Sequence, residues 1–451
     1  MASEQQYIEL YEQARQIIFD HAPEAMNAVR DEAFEDFRRQ GFPSKKVERY
    51  KYTDIQKLFA PDYGVNLNRL EIPVDPYAAF RCDVPNLSTS LYFVVNDMFY
   101  HDDKPKGHLP EGVIVDSLRN YPHFIEKYYA KLAMTSDDAI TALSTMLAQD
   151  GMLVYVPKNV KVDRAIQVIN ILKATPQNAQ RQVPDLMVNR RVLIILEEGA
   201  EIKMLFCDHA ADDRNFLATQ VIEAYVGENA SLDLYCMEET HHKNVRVSNV
   251  YIDQQANSRV NHNVITLHNG VTRNKLDLTF SGEGAECQCY GCVIADKEQH
   301  VDNNTLITHK VPHCTSNELY KYVLDDKSTG AFAGRVLVEH GAQKTASQMT
   351  NQNLTATKEA RMYTQPMLEI YADDVKCAHG STVGQLNDAA LFYMRQRGIS
   401  LNEAKVLLQN AFINEVVDKM ELAPLRDRLH HLVEKRFRGE LNKCEGCKLC
   451  K

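Results

Sequence analysis

Gly199-Ala200-Glu201-Ile202-Lys203-Met204 decides how this chain folds, because the same plan returns along the sequence. A turn residue and an alanine are followed by polar–apolar alternation, and Asn229-Ala230-Ser231-Leu232-Asp233-Leu234 repeats it. So do Gln255-Ala256-Asn257-Ser258-Arg259-Val260, Gly284-Ala285-Glu286-Cys287-Gln288-Cys289 and Gly341-Ala342-Gln343-Lys344-Thr345-Ala346. The alanines lie 30, 26, 29 and 57 residues apart, the last interval being close to two periods. Alternation of period two marks strands, and a recurrence near every 28 residues without an internal helix marks strands stacked on strands. An antiparallel sandwich would need tight hairpin signals, and His268-Asn269-Gly270 is the one clear case. The pattern therefore favours a parallel β-helix, right-handed by the crossover preference.

Outward from this core the text is helical on both sides. Glu4 to Arg39 carries Ile8, Tyr11, Ile17, Ile18 and Phe37 at helical spacing, interrupted by Pro23 and closed by Gly41 and Pro43. A Pro-rich connector follows, then short strands at SLYFVVN and EGVIVDSL and a helical stretch up to residue 149. After Gly384 a short helix from Asp388 stops at Gly398, Ser400-Leu-Asn-Glu403 opens a second as a capping box, and Pro424 starts a third. Leu407, Leu408, Phe412 and Val416 are expected to form the docking face of the second. The expected divisions are 1–85, a helical region with linker; 86–149, an α/β connection; 150–386, the β-helix; 387–443, a helical domain; and 444–451, a Cys-rich tail. The class is mainly β.

Composition excludes several roles. With 44% hydrophobic and 25% charged residues the chain has the makings of a buried core, and 51 basic against 61 acidic residues gives a net charge of −10. That balance opposes a nucleic-acid surface, so Lys45, Lys46, Arg49 and Lys51 read as a solvated loop. The N-terminus lacks a basic start followed by an apolar run, and the Val192–Leu196 run is too short for a bilayer. A cytoplasmic address without membrane contact is expected. Eleven cysteines without an export signal read as thiols rather than a disulfide framework.

Candidate chemistry concentrates in three places. Cys377 and His379 are two apart in strand-like text, so sulfur and imidazole project from one face, and both are metal ligands. Cys287, Cys289 and Cys292 resemble a metal cluster, but Cys287 and Cys289 align with Ile202 and Met204 and are expected in the core. His300 to His309, with His313 and Cys314, reads as a solvated edge. The tail places Cys444, Cys447 and Cys450 at C-x-x-C-x-x-C spacing, an alternative reading being an iron–sulfur electron carrier that uses these thiols. A glycosidase pair at Asp373 and Asp374 is excluded, because adjacent strand residues face opposite ways.

These residues together resemble the SufD branch of the SufB/SufD family, part of the SufBCD iron–sulfur cluster assembly scaffold. Glu48-Arg49-Tyr50-Lys51-Tyr52-Thr53 is similar to that family's E-x-W-K-Y-T element, with Tyr50 in place of Trp. Asp150-Gly151, Tyr155-Val156-Pro157, His309, Pro312, Ser316, Lys321, Phe332-Ala333-Gly334 and Asn353-Leu354 follow its core, and Pro366 to Gly384 continuing into Leu391-Phe392-Tyr393 is its most specific string. The SufB branch usually carries a Glu-His-Glu element at this place and a Cys upstream, and no Cys lies between Cys314 and Cys377 here. The resemblance implies a right-handed parallel β-helix and a non-catalytic scaffold subunit. It also implies pairing with a SufB-like paralogue through the β-helix and docking of a SufC-like ABC-type ATPase on the C-terminal helices. His379, with Cys377 beside it, would face a transient iron–sulfur cluster at that interface, no cofactor being tightly held by the isolated chain. Self-pairing as a homodimer is the expectation for the isolated chain. The sequence has no P-loop and no Gly-rich dinucleotide loop by which a flavin could be judged.

Overall fold

The computed structural model describes residues 3–79, 89–101, 109–174, 185–211 and 214–440. The chain from Met152 onward alternates between two sheets, one strand to each in turn. The first sheet runs through Met152–Val156, Asp185–Leu196, Asn215–Val226, Val245–Gln254, Val271–Phe280, His300–His309, Thr329–Val338 and Arg361–Ile370. The second runs through Ala165–Leu172, Glu201–Ala210, Ser231–Glu239, Arg259–His268, Glu286–Ala295, Thr315–Leu324, Ala346–Thr355 and Lys376–Gly384. Every pairing among these strands is parallel. The result is the expected β-solenoid, of about seven turns, between helical regions.

Register corrects the repeat in detail. Ser258 stands level with Ala230 where Ala256 was expected, and Thr345 stands level with Cys314 where Ala342 was expected. The column reads Ala200, Ala230, Ser258, Ala285, Cys314, Thr345, each at most 1% exposed, at intervals of 27 to 31 residues. Smallness at a buried corner, not alanine itself, is what recurs. The preceding residue is left-handed at every one of these corners: Gly199, Asn229, Asn257, Gly284, His313 and Lys344 all have φ between 53° and 75°. His268-Asn269-Gly270, the hairpin signal, is also a corner, because the strands on either side belong to different sheets. A Cβ on Gly270 would lie 2.4 Å from the Asn244 carbonyl oxygen, so only glycine fits where the coils touch.

Between the sheets lies an apolar core that includes Cys287 and Cys289, both fully buried, as the sequence suggested. The solvated edge expected at His300–His309 is overturned. This segment is an interior strand of the first sheet, and His309 is fully buried against the Phe280 ring, 4.6 Å between centroids. Asn303 looks inward, donating to the Tyr322 hydroxyl at 2.6 Å and accepting from Asn274 at 2.9 Å, while Asp302 and Asn304 face outward and accept from Thr53 at 2.6 Å and Arg49 at 2.9 Å.

Each sheet is covered outside by one helical layer. Gln5–Asp20, Arg30–Gln40 and Ala139–Leu147 bury Tyr11, Phe37 and Leu143 against Leu217 and Val247 of the first sheet. Asp138 ties this layer down. Its carboxylate caps Ala139–Leu147 through Ile140 N and Thr141 N, both 3.0 Å, meets Lys275 Nζ at 3.1 Å and Asn249 Nδ2 at 3.1 Å, and accepts from the Tyr50 hydroxyl. Burial works against its charge, but the Lys275 and Arg273 cations and the Tyr50 hydrogen bond hold it well below the usual carboxylate range.

The helices Leu401–Val417 and Ala423–Phe437 cover the second sheet, burying Ile413, Val416, Leu425 and Leu429 on Tyr235, Ile265 and Cys292. Of the expected docking face Val416 is buried and Phe412 packs partly against the sheet, but Leu407 is 40% exposed, and the buried stripe runs Ala404, Val406, Gln409, Ile413, Val416 and Val417. Lys321, 2% exposed at its side chain, crosses from the solenoid to the Phe412 carbonyl at 3.1 Å and to Glu415.

Candidate functional site

Cys377 and His379 lie on Lys376–Gly384, the last strand of the second sheet, which among the described residues pairs with Ala346–Thr355 alone. Parallel register with a two-residue side-chain period stacks equivalent residues into columns along the solenoid axis. Above the lumen, His379 ends the column Met204, Leu234, His262, Cys289, Glu318, Met349. Cys377 ends the column Ile202, Leu232, Val260, Cys287, Ser316, Ser347. The members beneath are at most 5% exposed, whereas His379 is exposed and Cys377 half-buried. Both side chains thus occupy core positions that no further coil covers. Burial pushes the Cys377 thiol up, and a hydrogen bond from the Ser347 backbone partly offsets that.

Met349 lies directly beneath His379, whereas the groups beneath Cys377 are polar. His309 Nε2 lies 3.0 Å from Ser316 Oγ, which donates to Ser347 Oγ at 2.8 Å, one coil below Cys377. Desolvation lowers His309 to about 3 and His262 to about 4, so both imidazoles are neutral, and it raises the Glu318 carboxyl to about 7. Across the mouth, Thr364 Oγ1 is 2.6 Å from Ser381 Oγ and 2.8 Å from Asn351 Oδ1, joining the last strands of the two sheets. Sequence reading gave Ser316 only as part of the family core pattern and did not single out Ser347, Thr364 or Ser381. Aligning coils in register would have placed the two serines under Cys377.

Around the mouth the surface is apolar: Tyr363, Ile370, Tyr371 and Val383 are 39–54% exposed. Tyr52, in the ERYKYT segment, reaches this rim and stacks on Tyr363 at 5.0 Å between centroids. The neighbouring helix Asp388–Gln396 adds Phe392 and Tyr393, 61% and 57% exposed. Among the described residues no group of three or more His, Cys, Asp or Glu side chains is placed to hold a metal ion. A metal centre built on Cys377 and His379 would therefore need further ligands from outside the described residues. Cys444, Cys447 and Cys450 lie outside the described residues. No described helix is long and apolar enough to cross a membrane.

The class is a parallel β-solenoid between two helical layers, with an open end bearing a thiol and an imidazole. The chain belongs to the SufBD family: residues 1–168 match the SufBD protein N-terminal region, and residues 177–412 match the SufBD core domain of SUF-system FeS cluster assembly. It is 27% identical to an iron–sulfur cluster assembly SufBD family protein of Synechocystis, covering 87% of this chain and 86% of that protein. It is 25% identical to the iron–sulfur cluster assembly protein SufD of Escherichia coli, covering 89% and 90% of the two chains. With SufD of Bacillus subtilis the identity is 23%, covering 97% and 99%.

Proposed function

We propose that this chain is the SufD-type, non-catalytic scaffold subunit of a cytoplasmic iron–sulfur cluster assembly complex. It pairs through the solenoid mouth with a SufB-like paralogue. Its C-terminal helices dock a SufC-like ABC-type ATPase, which supplies the nucleotide hydrolysis. One observation carries this reading: Cys377 and His379 hold core positions at an uncapped end, inside an apolar rim, and together make an incomplete ligand set. A paralogous solenoid end would cover the rim and complete the ligands, so a nascent iron–sulfur cluster is cargo at the interface rather than a resident of this chain. A borderline imidazole and a soft thiol suit iron that must later be released. Exposed Phe392 and Tyr393 support a second docking surface on the helical side.

The test is coexpression with the SufB-like and SufC-like proteins, anaerobic reconstitution and cluster transfer to an acceptor. His379→Ala should leave the complex assembled and abolish most cluster formation, with Cys377→Ala the milder variant. Parental yields of transferred cluster from His379→Ala would sink the assigned role.

A further inference from the structure

Glu48-Arg49-Tyr50-Lys51-Tyr52-Thr53 leaves the N-terminal helical layer and crosses the outer face of the first sheet toward the open end. Its root is fixed in the body of the solenoid. Tyr50 donates to the Asp138 carboxylate and lies under the Arg273 guanidinium, whose central carbon is 4.0 Å from the ring centroid. Arg49 pairs with Asp277 at 2.5 Å and donates to Asn304 Oδ1 at 2.9 Å, and Thr53 donates to Asp302 at 2.6 Å. One coil further on, register sets Ala331 beside Asp302 and Ala333 beside Asn304. Both face outward, since Phe332 between them packs inward on Tyr320, yet they are 0% and 5% exposed. These small side chains leave the strap room to pass. On the last coil the same two columns end in Tyr363 and Gln365, and the strap makes contact again. The Tyr52 ring stacks on Tyr363, its hydroxyl donates to Gln365 Oε1 at 3.0 Å, and Gln365 Nε2 donates to Glu48 Oε1 at 2.9 Å. One amide holds two strap residues.

The residue before Gln365 is Thr364, and strand alternation turns it to the opposite face, into the mouth. There it meets Ser381 Oγ at 2.6 Å and donates to Asn351 Oδ1 at 2.8 Å, which also accepts from Ser381 at 3.1 Å. Ser381 is two residues from His379 on the same strand and therefore on the same face. Between them stands Gly380, where a Cβ would meet nothing within 4 Å. A glycine in open space gives the strand no packing of its own at that point, so side-chain ties must hold it.

We propose that residues 48–53 are a clasp that positions His379: by gripping Gln365 they fix Thr364 and, across the mouth, Ser381 and the strand that presents the imidazole. Glu48, Tyr52 and Gln365 are positioning residues and touch no cargo. What His379 does once positioned rests on the assembly reading, whereas the clasp itself does not.

The experiment exchanges donor and acceptor in the full-length chain. Gln365→Glu sets a carboxylate against Glu48 and opens the clasp, and adding Glu48→Gln restores the pair with its ends reversed. Tyr52→Ala removes the stack and the hydroxyl together. Peptide-resolved hydrogen exchange is read at 361–370 and 376–384, and cluster formation is read with the SufB-like and SufC-like proteins. Gln365→Glu and Tyr52→Ala should each speed exchange in both strands by roughly tenfold and lower cluster yield, and the reciprocal pair should return both readouts to parental values. Loosening confined to 361–370 would overturn the clasp, as would failure of the reciprocal pair to rescue. Parental cluster yield from Gln365→Glu, where His379→Ala has lost it, would overturn it as well. If His379→Ala keeps the parental yield, the assembly reading falls, and exchange at 376–384 alone decides the clasp.

Discussion

At its N-terminal end the solenoid finishes in antiparallel pairs, Thr89–Val95 with Met98–Phe99 and Ile114–Ser117 with Met152–Val156, whereas its C-terminal end stops at two parallel strands with one neighbour each. The first end is closed: Val94, Phe99 and Val115 of these added strands pack into the apolar core between the sheets and are at most 9% exposed. The second leaves Tyr363, Ile370, Tyr371 and Val383 in solvent. Solenoids normally need polar caps at both ends, and bare strand edges invite pairing. An end that is apolar, flat in register and tied across its mouth by Thr364, Ser381 and Asn351 is a surface prepared for a partner.

The sharpest way to break the contrast is at the covered side. Asp138→Ala removes the cap of Ala139–Leu147 and leaves Lys275 buried without its main partner, and should cost about 3–5 kcal/mol in denaturant unfolding. Glu318→Gln probes the lumen. The Glu318 carboxyl is raised from 4.5 to about 7 in the folded chain, so the native state holds the proton more tightly than the unfolded one. Stability on this account is full below pH 4.5 and is lost as pH rises through 7, about 3 kcal/mol in total. Glu318→Gln should therefore raise the melting temperature at pH 8 relative to the parent and reduce the gap between pH 5 and pH 8. Lys321→Met cuts the cation that joins the solenoid to Phe412 and Glu415, and about 1–2 kcal/mol is expected. Faster hydrogen exchange in residues 401–437 would register it. At the open end Ile370→Lys with Tyr371→Ala should change the stability of the isolated chain by no more than about 0.5 kcal/mol, yet abolish copurification with the paralogue. If that pair unfolds the chain as badly as Asp138→Ala, the open end is part of the folded core and not a surface left for a partner.

The solenoid was legible because a period near 28 survives substitution of individual residues. Its exact register was not, since the corner demands only a small side chain after a left-handed residue, and serine, cysteine and threonine meet that demand as well as alanine. The inward placement of Cys287 and Cys289 followed from alternation alone. His300–His309 misled for the opposite reason: polar text suggests solvent, but Asn303, Thr305 and His309 are buried in a polar part of the lumen. At the site, alternation put Cys377 and His379 on one face. That they complete buried columns depends on pairings with strands 30 and more residues away, which local spacing cannot convey.

The columns are also a template. Each coil hands the next the same register, and only the last has nothing to hand it to. The closed end leaves the ribosome first, so coils are laid in one direction onto a finished base. The final coil remains a growing tip in the folded protein, and a chain that binds there is, topologically, the next coil.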